Sequence, residues 1–297
     1  MDSKEQELAL VNCKIWTDGV VLKETAILTR NNIIEKLSSN KDVLESASPF
    51  ATIIDANFKL IVPGFIDSHI HFIMGGSRLT SVQLSDCKDS QDFKDRIRLF
   101  CNKLQKGEWV CGGDWDNTKW TDPTTPITAS LIDSVSPNNP IWINRTEGHQ
   151  YLANSLALKL AGVTNSTPDV VGGTIHRDTD NNPTGLLADN ALSLVYPFVP
   201  ALNQKECDIA INAATRYLHA YGVTSIHNMT EPADRNRAGL ANDLEIFHDY
   251  QTRHKLQVRV LCAIPIQQYQ KCQISTKGMI RSGAIKGYID GSLGFNF

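Results

Sequence analysis

Two histidines one residue apart, His69 and His71, end the apolar segment LIVPGFIDSHIHF, which begins at residue 60. Alternate residues of a strand project from the same face, so the two imidazoles can meet at one point. Zinc and similar divalent ions bind imidazole nitrogen at about 2 Å. A lone His-x-His pair is weak evidence, but the Pro63-Gly64 turn before it and its position at the end of a strand strengthen it. The pair is therefore predicted to supply two ligands to a divalent metal.

The segment before the pair has the pattern of short strands. Residues 8–37 contain ALVNCKIWT, ETAILTR and IIEKL, separated by Asp18-Gly19 and Asn31-Asn32. Asp-Gly and paired asparagine adopt positive φ at low cost and favour tight turns. We therefore predict a small antiparallel β domain over residues 1–60.

From residue 60 onward, apolar runs alternate with amphipathic helices, which is typical of parallel βαβ units. The clearest helix begins after Asn203, which is predicted to be its N-cap. The face of this helix predicted to be buried comprises Ile209, Ala213, Tyr217 and Ala220. Barrel strands are expected at 61–70, 139–144, 223–227, 257–263 and 284–290. An insertion is predicted at about 77–200, with one helix from Ser90 to Gly107. Periodicity alone does not separate an α/β barrel from an open doubly wound sheet.

The composition excludes several classes of protein. The chain has 297 residues, 41% of them hydrophobic, and a net charge of -3, which indicates a globular protein without a basic surface for nucleic acid. No segment has the pattern of a signal peptide or a membrane span. Seven cysteines, without a C-x-x-C pair, favour a reducing compartment. We therefore expect a cytoplasmic protein that binds neither nucleic acid nor membrane.

Five segments resemble, in the same order, the YtcJ-like branch of the amidohydrolase superfamily, which includes plant proteins of the LONG AFTER FAR-RED type. These segments are DANFKLIVPGFIDSHIHF, IWINRTEGHQYLANSLALKLAGV, GGTIHRDTDNNPTGLLADNA, GVTSIHNM and IKGYIDGSLG. The resemblance implies an α/β fold in which a small β domain, part of a composite β-sandwich, leads into a TIM-type (β/α) barrel. Relatives continue beyond DGSLG with more barrel. Residues 61–297 are therefore expected to form the first part of an incomplete barrel, as in a truncated or alternatively spliced form.

The resemblance also implies metal ligands. His69 and His71 match the first two ligands, and Asp67 matches a position that orients a ligand through its other ring nitrogen. The alternative for Asp67 is a local turn cap. Lys286 lies where relatives with two metals carry a carboxylated, bridging lysine, and its alternative is an ion pair or a solvated strand end. The resemblance implies one or two divalent ions, with zinc as the expected metal.

Further residues are expected at a substrate pocket by the same resemblance: His149, His227, Trp115, Asp116 and Asp290. His149 lies in a loop, where local hydrogen bonds are the alternative. His227 closes a barrel-type strand, where a buried core-edge position is the alternative. Tryptophans such as Trp115 and Trp120 in GGDWDNTKW form a pocket wall or, alternatively, anchor the core of the insertion.

Two functions remain open at this stage. The first is a metal-dependent hydrolase acting on non-peptide carbon–nitrogen bonds of a small amide-type substrate. The second is a non-catalytic regulatory or binding product, because the later ligands and the acidic proton shuttle of relatives have no match here. Such a product would cover its open sheet with a protein partner or in a homodimer. Resemblance to the plant type suggests phytochrome signalling in far-red light and a perinuclear location for it.

Overall fold

The computed structural model describes residues 7–230, 243–271, 275 and 278–287. The chain divides into two compact units, Met1–Phe65 and Ile66–Phe297. Within the described ranges, no helix combines the length and apolar character needed to cross a membrane.

The first unit is a small β domain around one short helix. Its elements are β1 (Glu7–Val11), β2 (Lys14–Thr17), β3 (Val20–Val21), β4 (Ala26–Arg30), β5 (Ile33–Ser38), α1 (Asn40–Ser46), β6 (Thr52–Asp55) and β7 (Leu60–Ile61). Four strands form a sheet in the order β5-β4-β1-β6, and β3-β2-β7 form a smaller one. Asn31 and Asn32 adopt positive φ in the turn between β4 and β5. The strands within residues 8–37 pair antiparallel, whereas β6 and β7, which come later in the chain, join β1 and β2 in parallel.

The second unit contains the expected partial barrel. Its elements are β8 (Phe65–Ile70), α2 (Phe72–Thr80), α3 (Ser90–Cys101), β9 (Val110–Trp115), α4 (Ala129–Asp133), β10 (Ile141–Arg145), β11 (Gln150–Ala153), α5 (Ser155–Ala161), β12 (Gly173–Arg177), β13 (Pro183–Asp189), α6 (Gln204–Ala220), β14 (Val223–Met229), α7 (Asp243–Thr252), β15 (Arg259–Pro265) and β16 (Ile280–Lys286). Four strands in the order β16-β15-β14-β8 form the half-barrel sheet. In the described part of the chain this sheet is open, which confirms the incomplete barrel. Strands β14, β15 and β16 pair in parallel.

A separate sheet occupies the middle of the second unit. It has five strands in the order β12-β13-β11-β10-β9, and we call it the insertion sheet. The expected barrel strand at 139–144 belongs here, because β10 pairs with β9 and, antiparallel, with β11. The strand expected at 284–290 begins earlier, at Ile280, and carries a register shift beside Gly283, whose φ is 137°.

Helices α2 and α6 pack closely on the outer face of the half-barrel sheet. A Cβ on Gly76 would lie 2.1 Å from the carbonyl oxygen of Ala210, so only glycine permits this approach. Asn203 and Glu206 form a capping box at the start of α6. The predicted buried face of α6 is wrong, because Ile209 and Tyr217 are 47% and 52% exposed. The residues buried instead are Cys207, Ala210, Ile211, Ala214, Thr215 and Leu218.

Candidate functional site

The histidine pair lies at the C-terminal end of β8. His69 is exposed, while His71 is half-buried and occupies the N-cap position of α2. Their ring centroids are 5.8 Å apart, with the ring planes at 72°. Two imidazoles that share one tetrahedral ion have centroids about 5 Å apart. The observed separation of the two rings is close to this value.

The neighbouring strand orients His71. Its Nδ1 lies 2.7 Å from the backbone carbonyl oxygen of Met229, at the end of β14. A carbonyl only accepts, so Nδ1 carries a proton, and in the neutral ring Nε2 then carries the lone pair that a metal requires. Metal-bound histidines commonly donate their other ring nitrogen to a carbonyl or carboxylate in this way. The donor set of the pair thus fits a divalent ion.

A buried polar network fixes the same end of β14. The Asn228 side chain is fully buried, and its Oδ1 accepts the backbone N–H of Phe72 at 2.9 Å. Its Nδ2 donates to Asp243 Oδ2 at 2.8 Å and lies 3.4 Å from Thr230 Oγ1. Asn228 thus ties the residue after His71 to α7 and β14. The sequence analysis did not predict this role of Asn228. The only available indication was a polar residue between His227 and the apolar strand end Met229.

Strand alternation places His227 on the concave face of the half-barrel sheet. Ile226 is buried under the helices, and Ile70 of β8 packs against the same helical layer. The residues next to them, His227 and His69, therefore face the opposite side. His227 is half-buried and pairs with Leu261 of β15.

Lys286 lies on the far strand of the same sheet. The register places it opposite Pro265 at the end of β16. Three strand spacings separate β16 from β8, which is about 14 Å along a sheet. The structure thus places Lys286 and the pair on one sheet, with two strands between them. Asp290 lies outside the described residues.

Asp67 makes a local contact. Its Oδ1 accepts the backbone N–H of His69 at 3.1 Å. This bond favours the turn-cap interpretation, and the carbonyl of Met229 takes the orienting role for His71.

The other expected pocket residues lie in the insertion and are not gathered at the pair. Trp115 is 1% exposed, donates from Nε1 to the carbonyl of Ile143 at 3.3 Å, and anchors a core cluster rather than a pocket wall. Asp116 caps a short 3-10 helix, where the backbone N–H of Thr118 lowers the pKa of its carboxyl group. His149 Nδ1 lies 3.1 Å from Oδ1 of Asp189, the last residue of β13 in the insertion sheet.

The described ranges contain no group of three His, Cys, Asp or Glu side chains placed to hold an ion. The pair and His227 are the imidazoles that the half-barrel sheet brings to its concave face and C-terminal end.

Comparisons with known proteins identify the family to which the chain is similar. The model of the Amidohydrolase family, Amidohydro_3, matches residues 52–296. The chain is 33% identical to the protein LONG AFTER FAR-RED 3 of Arabidopsis thaliana, over 98% of this chain and 51% of that protein. It is 32% identical to the putative amidohydrolase YtcJ of Bacillus subtilis, over 72% of this chain and 42% of the relative. It is 30% identical to the N-substituted formamide deformylase of Arthrobacter pascens, over 64% of this chain and 36% of that protein.

A solved structure supports the fold. An uncharacterized metal-dependent hydrolase from Pyrococcus furiosus superposes with a TM-score of 0.74 at 22% identity, covering 97% of this chain and 57% of that one. The chain spans about half the length of the curated relatives it matches.

Proposed function

The chain belongs to the amidohydrolase family, and we propose that it acts in the metal-dependent hydrolysis of non-peptide carbon–nitrogen bonds in small amide-type molecules. One observation supports the proposal: His69 and His71 lie together at the end of a barrel strand, and Nδ1 of His71 bonds the carbonyl of Met229, as is common in metal-bound histidines. The relative named a formamide deformylase supports this bond class, and N-formyl amines are the first substrates to test.

The roles of the chain's own residues follow from the geometry. We propose that Nε2 of His71 and the imidazole of His69 hold the ion, that Met229 orients His71, and that His227 lines the adjacent concave face. Zinc is the proposed metal. When bound, a divalent ion polarises a carbonyl group and lowers the pKa of a water molecule. Lys286 is proposed to add a ligand from the far strand after carboxylation, since a plain ammonium group has no lone pair.

Metal binding is tested with a double variant and a matched control. His69→Ala with His71→Ala should abolish tight zinc binding in calorimetry, because the pair supplies both ligands from one strand end. His248→Ala with His254→Ala removes two exposed histidines and should leave zinc binding unchanged. An unchanged zinc stoichiometry in the first variant would show that the ligands lie elsewhere.

Hydrolysis is tested on the zinc- or manganese-loaded chain with a panel of N-formyl and N-acyl amines. Turnover that needs both the metal and the histidine pair supports the proposal. Zinc binding through the pair without turnover of any panel member would overturn the hydrolase assignment for this chain.

A second candidate is a non-catalytic binding role, which the exposed apolar side chains of the half-barrel strands favour. Phe65 and Ile66 of β8 are 58% and 63% exposed, and Ile285 of β16 is 49% exposed. Exposed apolar surface of this kind marks association sites. Sedimentation equilibrium tests the role, and a chain that stays monomeric and hydrolyses the panel would count against it.

A further inference from the structure

A cavity of about 280 Å³ lies between helices α2 and α6 and the insertion sheet. Its volume is near the lower end of the range for small-molecule pockets. Helices α2 and α6 cover the outer face of the half-barrel sheet, whereas the histidine pair lies at the end of β8. No residue proposed to bind the metal is among the described residues that line the cavity. The cavity is therefore separate from the proposed metal site.

Apolar side chains make up much of the cavity wall. They come from α2, from α3 and the residues after it, and from the segment before α6. Among them are Met74, Phe100, Leu104, Trp109, Val199 and Leu202. An apolar body placed against these side chains is removed from water, which favours its binding.

Strand geometry places Asn144 of β10 on the cavity side of the insertion sheet. Trp142, two residues earlier, and Tyr151, the partner of Asn144 on β11, also line the cavity. Alternate residues of a strand share a face, and Ile141 and Ile143 pack into the core cluster on the other face. Asn144 therefore points toward the cavity, although it is only 4% exposed.

The amide of Asn144 leaves one acceptor atom for the cavity. Its Nδ2 donates to Asp114 Oδ1 and, at 3.1 Å, to the carbonyl oxygen of Arg145. A carboxylate and a carbonyl only accept, so these two bonds fix which amide atom is nitrogen. Among the described residues none donates to Asn144 Oδ1, and this atom is not one of the unpartnered side-chain atoms that are shut off from solvent. Oδ1 is therefore open to the cavity and needs a donor.

The charges near Asn144 disfavour an ionic ligand. Arg78 lines the cavity, and its Nη2 lies 3.7 Å from Asp114 Oδ1, the same oxygen that accepts from Asn144. A cation would lie close to this guanidinium, and an anion would lie close to the Asp114 carboxylate and the Asn144 lone pairs. Burial raises the pKa of the Tyr151 and Tyr196 hydroxyl groups, so both stay uncharged. These surroundings favour a neutral molecule.

We propose that this cavity binds a small neutral molecule with a compact apolar body and one N–H or O–H group, which donates a hydrogen bond to Asn144 Oδ1. A buried acceptor that loses its water without gaining a donor is costly. A molecule that expels water from the cavity must therefore supply the donor itself. This requirement selects it over an apolar molecule of the same shape.

Two probes of nearly the same shape test the donor. Indole carries an N–H group where 1-benzothiophene carries a sulfur atom. Calorimetry and ligand-observed NMR on the 297-residue chain should show one indole site. Asn144→Leu keeps the number of heavy side-chain atoms but removes the acceptor. The ratio of the 1-benzothiophene Kd to the indole Kd should be about 3- to 10-fold smaller in this variant than in the wild type. Any general change of the cavity affects both probes and cancels in this ratio.

Asp114→Asn is the matched control. Asp114 has a φ of 49°, which asparagine also tolerates, and an asparagine there can still accept from Asn144 Nδ2. The variant removes the nearby carboxylate and keeps Asn144 Oδ1, so it should keep the wild-type ratio. The proposal is overturned if the wild-type chain does not bind indole at millimolar concentration, if Asn144→Leu keeps the ratio, or if Asp114→Asn lowers it equally.

Two measurements on the wild-type chain do not depend on the folding of any variant. Cys111 lines the cavity and is half-buried, whereas the other cysteines that the structure describes are buried. Indole should slow the alkylation of Cys111 by iodoacetamide, followed by peptide mass mapping, and an unchanged rate at saturating indole would overturn the location of the site. Indole should also bind equally tightly in EDTA and in saturating zinc. An indole affinity that changes with zinc would contradict a site separate from the metal, whatever the outcome of the hydrolysis assays.

Discussion

Replacing Asn228 by alanine should cost both stability and metal affinity. The change leaves the Phe72 N–H and the Asp243 carboxylate without the amide they bond at 2.9 Å and 2.8 Å, and both residues are buried. The Phe72 N–H left without its acceptor costs about 1–3 kcal/mol, and the lost hydrogen bond to the Asp243 carboxylate costs about 1.5–3 kcal/mol, so we expect a loss of about 2.5–6 kcal/mol in the free energy of unfolding. Folded domains have about 5–15 kcal/mol in total, so this loss is large.

The loss of metal affinity follows from position. Phe72 directly follows His71, and a shift there moves the imidazole away from the carbonyl of Met229. Removing a group that orients a ligand typically weakens metal binding about 10- to 100-fold. Urea unfolding followed by circular dichroism measures the stability, and zinc titration of the folded variant measures the affinity.

Asn154→Ala is the matched control. Asn154 is 1% exposed, and its Oδ1 accepts the backbone N–H groups of Ile141 and Ala157 at 2.9 Å and 3.0 Å, within the insertion. It should lose similar stability and keep wild-type zinc affinity. The reasoning is refuted if Asn228→Ala unfolds within about 0.5 kcal/mol of the wild type, or if both variants weaken zinc binding equally.

Two further predictions concern the helical layer. Gly76→Ala should lower the free energy of unfolding by about 1–3 kcal/mol, because its Cβ would lie 2.1 Å from the Ala210 carbonyl oxygen. Gly75→Ala meets nothing within 4 Å and should be neutral or stabilising. Thermal unfolding of the two variants measures the difference, and equal melting temperatures would contradict the prediction. Hydrogen bonds from Arg253 lower the pKa of Asp208 below its ordinary 3.8, so its stabilisation is present above that value and lost as the pH falls through the folded-state pKa. Asp208→Asn should therefore be less stable at pH 7 and lose less stability on acidification, and urea midpoints at pH 7 and pH 3 that fall in parallel with those of the wild type would refute this.

The sequence predicted the elements whose signals are local. The capping residue Asn203, the β14 strand that ends near His227, and the pair at the end of β8 all follow from patterns within a few residues. The family resemblance added the order of the elements and the incomplete barrel.

The buried face of α6 was not predictable from its large apolar residues. The helix approaches α2 at Gly76, so the contacting residues must be small, and Ala210 and Ala214 are buried while Ile209 is exposed. Ile211 and Leu218 are buried on the same face, so large apolar residues lie on two sides of the helix and periodicity alone does not choose between them.

Strand partners also depend on contacts distant in sequence. Residues 139–144 have the apolar pattern of a barrel strand, and only the antiparallel pairing of β10 with β11 assigns them to the insertion. Trp142, between Ile141 and Ile143, and Trp115, between Asp114 and Asp116, are both buried, but in different core clusters of the insertion.

The adjacency of β8 and β14 has a consequence for the order of folding. Residues 71–222 separate these neighbouring strands. The entropy lost on closing a flexible loop grows with the logarithm of its length, so joining them across roughly 150 disordered residues costs roughly 2 kcal/mol more than across a 20-residue crossover. Once the insertion is ordered, the contact of Gly76 with Ala210 already holds its two ends together. Pairing of the first two barrel strands should therefore be slow unless a segment that contributes no strand to the barrel has folded first.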